Sequence, residues 1–143
     1  MRKAVLLGLT SMLAAAAAFA ATDPVKERQE ILKGIGEGTK PVVGMMKGEV
    51  SYDQAKVDAL LASYVAAAAK LPALFPPGSD AGKTEALPRI WTEKARFDAL
   101  FTKLGTDARA AEGKATDVAS LRAALPKILG DCKACHDDYR QKK

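Results

Sequence analysis

From Thr22 onward the apolar residues of this 143-residue chain recur in steps of three and four, the interval of a helix and not of a strand. A first segment opens with Asp23-Pro24, a capping residue followed by proline at the first helical position. Its apolar face runs through Val25, Ile31-Leu32, Ile35, Val42 and Met45-Met46. Gly34, Gly36 and Gly38 weaken it, and Pro41 is expected to kink it. A second segment begins at Ser51-Tyr52-Asp53-Gln54, which reads as a capping box, and continues through Leu60-Leu61, Tyr64-Val65 and Leu71 to Pro72. Residues 75–82 form the one long irregular connection. A third segment is expected from about Glu85 to Glu112, with Ile90, Phe97, Phe101 and Leu104 on one side. The fourth starts near Thr116-Asp117 and carries Leu121, Leu125, Ile128, Cys132, Cys135 and Tyr139, with a local break expected at Pro126. The fold class is therefore all-α, an antiparallel up-down-up-down four-helix bundle. In that topology residues near 28, 75, 88 and 135 share one end.

Length allows one domain. Only 6% of residues are aromatic against 48% hydrophobic and 27% charged, which disfavours a β-sandwich, a disordered chain and a multi-span membrane protein. Residues 1–20 read as a signal peptide: Arg2-Lys3, an apolar stretch, then Ala18-Phe19-Ala20 as a small-residue cleavage site. Residues 21–143 are then the mature domain, exported to the periplasm and not inserted in the membrane. Cleavage removes two of the basic residues behind the formal charge of +5. The remaining basic residues are dispersed, which argues against nucleic acid as a partner.

All the cysteine and histidine of the chain lies in Cys132-Lys133-Ala134-Cys135-His136. C-x-x-C-H is the attachment sequence for c-type haem. Cysteines three apart share a helix face and can bond the two vinyl groups, while the adjacent histidine offers a ring nitrogen to iron. A thioredoxin-like pair would need a βαβ setting and a helix N-terminus. A structural zinc site would need a fourth ligand. The reading is one haem c attached through Cys132 and Cys135, with His136 as the iron ligand and the metal site of the chain.

With the motif near the end of a four-helix chain, the sequence resembles the class II c-type cytochromes, specifically cytochrome c′. The resemblance spans the mature chain. It rests on Arg28-Gln29, Lys47-Gly48-Glu49 with Tyr52-Asp53, Leu74-Phe75-Pro76, Leu87-Pro88-Arg89-Ile90-Trp91, and the run from Cys132 to Arg140. It implies that Arg28 pairs with a haem propionate, that Gln29 and Glu85 contact haem, that Trp91 packs on the haem side and that Arg140 stands on the proximal side. It also implies a homodimer through helices one and two, redox partner proteins, and no catalytic residues.

A second iron ligand has few candidates. Met1 and Met12 leave with the signal. Met45 is thirteen residues beyond Leu32, or ~20 Å along a helix, if Arg28 and Leu32 face the haem. In low-spin relatives a methionine occupies the position four after the arginine, and here it is Leu32. The resemblance thus implies a five-coordinate iron open to small gases such as NO and CO, with one-electron transfer. The alternative is a six-coordinate low-spin class II electron carrier. A peroxidase would want a distal acid-base group, and the one histidine is committed to iron.

Overall fold

The computed structural model describes residues 23–142, so the signal peptide and its cleavage site lie outside the described residues. Helix α1 spans Pro24–Lys47. The Asp23 carboxylate accepts from the Val25 N–H at 2.9 Å, and Pro24 sits where a missing N–H leaves nothing unpaired. Gly48 ends the helix at φ 80°, a left-handed conformation that favours glycine. Helix α2 spans Gln54–Lys70 and tightens into a 3₁₀ turn over Leu71–Leu74. Its cap is Asp53, which accepts from the Lys56 N–H at 3.2 Å, and not Ser51 as the sequence pattern suggested.

The third expected helix differs most. Residues 85–87 are not helical, α3 is the short Arg89–Thr92, and α4 runs Lys94–Ala111. Pro88 disfavours helical geometry at Leu87. The chain there pairs instead with the end of the last helix: Leu87 N–H donates to Tyr139 O at 3.0 Å and Gln141 N–H to Glu85 O at 2.7 Å, around an Ala86–Arg140 bridge. Helix α5 spans Val118–Tyr139, opened by a reciprocal Asp117–Ser120 cap.

The break expected at Pro126 is absent, since α5 runs uninterrupted through it, and Pro41 likewise lies inside α1. Each removes one N–H bond. Val42, Met45, Leu125 and Ile128 beside them are each 1% exposed, so burial holds the turns.

The four long helices pack in a ring, α1 on α2, α2 on α4, α4 on α5 and α5 back on α1. The α2–α4 approach is close at Gly105, where a Cβ would come within 2.9 Å of Ala68 Cβ. At one end the Tyr52 hydroxyl donates to Ala115 O at 2.6 Å and Arg122 Nε to Met46 O at 2.7 Å. The other end gathers the start of α1, the close of α2, α3 with the first turn of α4, and the close of α5. Helix α2 with its 3₁₀ turn, Gln54–Leu74, is long and apolar enough to cross a membrane by length and composition, but Val57, Leu60, Leu61 and Tyr64 face the bundle core.

Candidate haem cavity

That second end is hollow. A cavity of about 840 Å³ lies between α1 and α5 and reaches inward to Tyr64 and Leu104. It falls in the size range of ligand and cofactor sites. Arg28, Phe75, Ile90 and Cys135 all line it, the meeting of segments that the up-down topology requires. The apolar wall is aromatic: Phe97 sits edge-on to Phe75, Phe101 and Tyr139 at centroid distances of 4.8, 5.1 and 5.2 Å.

Cys132, Cys135 and His136 line the α5 side, one helical turn of a single face. Both cysteines are free and half-buried. Burial, then Asp131, raises the Cys132 thiol, and burial, then Cys132 and Asp138, pushes Cys135 up to about 11. At neutral pH both are therefore thiols, the form that adds across a vinyl group, and not the reactive thiolates of a redox pair. His136 is exposed at the cavity wall. Such burial as it has, followed by the Arg140 charge, lowers its pKa and favours the neutral ring that can coordinate.

Across the cavity stands α1. Leu32 is 39% exposed there and lines the mouth beside Gln29, whose amide donates to Lys83 O at 2.8 Å. Arg28 is 2% exposed. Its guanidinium donates to Leu74 O and Ser79 Oγ, both at 2.9 Å, to Ser79 O at 2.8 Å and to Thr84 Oγ1 at 3.0 Å, and it stacks 4.3 Å over the Phe75 ring. Four donors thus tie the 74–84 loop to α1, a role that the sequence did not announce because the partners lie about fifty residues away. Desolvation lowers the Arg28 pKa. A buried cation bonded to neutral oxygens on a cavity wall is suited to an anionic edge of a ligand.

Glu85 pairs with Arg140 through Nε at 2.7 Å and Nη2 at 2.6 Å, and both line the cavity next to His136. Trp91 is not among the residues that line the cavity; it packs behind the wall, 6.5 Å from the Phe75 ring, and its indole N–H donates to Pro76 O at 2.9 Å. Neither Met45 nor Met46 lines the cavity, and Met45 is buried in the core. Sequence reading missed Thr39, Tyr64 and Asp131 at the inner wall. Tyr64 carried only a core signal, with its hydroxyl 2.8 Å from Thr39 Oγ1.

These residues fit a c-type haem: two thiols on one helix face, an imidazole beside them, an apolar aromatic wall and a cationic edge. A family model described as Cytochrome C' matches residues 23–140. The cytochrome c′ of Rhodopseudomonas palustris is 49% identical over all of this chain and 98% of its own length. A solved structure of cytochrome c′ from that organism superposes with a TM-score of 0.82, at 52% identity over 85% of this chain and 98% of that one. A cytochrome c-556 of the same organism is 34% identical over 100% of this chain and 99% of its own. A nitric oxide complex of a cytochrome c prime variant from Alcaligenes xylosoxidans has a TM-score of 0.72 and 30% identity over 83% and 94% of the two chains.

Proposed function

The chain belongs to the cytochrome c′ family, and from that premise we propose that it is a periplasmic mono-haem cytochrome. It passes single electrons and takes small neutral gases such as NO and CO at a five-coordinate iron. When bound, the haem supplies the one-electron Fe(III)/Fe(II) couple and an iron site for a diatomic ligand. The chain does the rest. Cys132 and Cys135 anchor by thioether bonds, His136 offers a ring nitrogen, and the edge-on aromatic wall of Phe75, Phe97 and Phe101 keeps water from the inner space. In this reading the Arg28 charge offsets a propionate while its hydrogen bonds close the 74–84 loop.

The observation that carries the open-site reading is the pairing of Leu32 on α1 with His136 on α5 across a cavity that no methionine lines among the described residues. An alkyl side chain in that position offers no lone pair, so it can shield the iron without ligating it. Its apolar surface favours a neutral diatomic over a hydrated anion. A low-spin carrier would need a second ligand from the wall, and Met45 is turned into the core.

Absorption and EPR spectra of the ferric protein test this, with high-spin signals expected. A fully low-spin ferric spectrum at neutral pH would assign the protein to the six-coordinate alternative. The homodimer belongs to the same proposal. Ala55, Ala59, Ala62, Ala66 and Ala69 are all exposed and recur at steps of three and four on α2, a smooth strip opposite its buried face that a second copy would cover. Sedimentation that finds only monomer at micromolar concentration counts against it.

A further inference from the structure

A buried charge cluster crosses the seam between α4 and α5 and ends at the haem cavity. Asp131 lines the cavity, and its side chain is 6% exposed. Its Oδ1 accepts from Lys103 Nζ, but Oδ2 is buried with no hydrogen-bond partner among the described residues. Lys103 Nζ also donates to Asp107 Oδ2 at 2.7 Å, and Lys127 Nζ lies 2.8 Å from Asp107 Oδ1. Two lysines and two aspartates balance formally, but not in space. The lysine side chains are 53% and 65% exposed, whereas the aspartates are 9% and 6% exposed. Positive charge therefore sits in water and negative charge inside.

Solvent screens the outer charges far more than the inner ones. The cluster thus acts on the cavity as a dipole with its negative end at the wall. Glu85 is the other carboxylate lining the cavity, and it is neutralised at the mouth by Arg140. No group of three or more metal-ligating side chains occurs among the described residues, so the cluster is not a second metal site. Its bond to Lys103 holds the Asp131 carboxylate at the cavity wall, where burial keeps water from screening its charge. A fixed negative charge beside a redox centre favours the state with one more positive charge.

Building on the haem reading above, we propose that Asp131, held by Lys103, sets the reduction potential of this cytochrome by stabilising ferric over ferrous iron. It acts through space, with no contact to iron, and Lys103 attenuates it from the surface.

The test is a spectroelectrochemical titration of purified, haem-loaded protein at fixed pH and ionic strength. Asp131→Asn should shift the midpoint potential upward. Lys103→Gln, which removes the attenuating charge, should shift it downward. Asp107→Asn should shift it upward by less, because Asp107 does not line the cavity. Glu49→Gln, at the opposite end of the bundle, should leave it unchanged. Wild-type potentials in both Asp131→Asn and Lys103→Gln overturn the proposal, as do shifts of the same sign in the two. If Asp131→Asn fails to retain haem, Lys103→Gln decides alone, and an unchanged potential there overturns the proposal. Wild-type protein that carries no covalent haem overturns the functional reading itself, and the charge argument falls with it.

Discussion

The two ends of the bundle are built from the same four helices and finish differently. Where α1 gives way to α2 and α4 to α5, the chain completes its own core: Met45, Val57 and Leu121 are 1%, 0% and 1% exposed, and Tyr52 closes onto Ala115 O. Where α2 ends and α5 ends, the side chains withdraw around a void of about 840 Å³. Protein interiors rarely hold voids much larger than a water molecule. A hollow of that size in a chain whose other end packs fully is a place kept for a ligand. The polar contacts follow the same division. At the closed end, one tyrosine and one arginine seal short turns, whereas at the hollow end Arg28, Gln29 and Arg140 tie long loops around a rim.

The sharpest way to break this contrast is to remove what fastens the ligand. The double variant Cys132→Ala, Cys135→Ala should keep no haem through acid–acetone extraction, since both thioethers are gone. Amide exchange should then accelerate at Phe97, Leu71 and Tyr139 around the cavity while Val57 and Leu121 stay protected. Equal loss of protection at both ends would show that the closed end depends on the ligand as well.

Met45→Ala attacks the closed end alone. It deletes a side chain that is 1% exposed and should cost about 2–5 kcal/mol, read from urea unfolding, with no change in the ferric spectrum. Leu32→Met is its counterpart at the hollow end. The swap roughly conserves volume at a half-open site and should cost less than about 1.5 kcal/mol. It places a thioether on the wall opposite His136, so part or all of the iron should become six-coordinate and low-spin, with weaker CO binding. A spectral change in Met45→Ala, and none in Leu32→Met, would reverse the assignment of the two ends.

Much of this contrast can be read in the sequence because it is local or periodic. Steps of three and four mark the four long helices, Asp23-Pro24 marks a start, and Cys132 to His136 names both cofactor and end. The rest depends on partners far apart in the chain. The helix expected from Glu85 is interrupted because residues 85–87 pair with residues 139–141 and because the Glu93 carboxylate is held by Arg89 at 2.7 Å and by the Tyr139 hydroxyl at 2.8 Å. Arg28 was legible as a residue of the haem end, but not as the tie of a loop fifty residues on. Trp91 was legible at the haem end, but not its place behind Phe75, with its N–H on Pro76 O fifteen residues back. Asp131 lies next to the motif yet carries no signal of its own, since Lys103 reaches it from another helix.

The smallest effect concerns the α4–α5 seam that joins the two ends. Lys103 first, then Lys127, holds the Asp107 carboxyl down at about 2, against about 3.9 for an unperturbed aspartate. The folded value is the lower one, so the folded state favours the ionised form. The stabilisation is complete above the unfolded value and is lost as pH falls through the folded one, between roughly pH 4 and pH 2. Asp53, Glu93, Asp117 and Asp137 are also depressed and lose stabilisation in acid, so the wild type alone cannot isolate the seam. The comparison with Asp107→Asn does. Its unfolding midpoint in urea should fall below wild type at pH 5, and the gap should close as pH approaches 2. The ferric spectrum should stay as it is, because Asp107 lies outside the cavity wall. A gap that is constant across pH would mean that packing of the Asp107 side chain, and not its charge, holds α4 to α5.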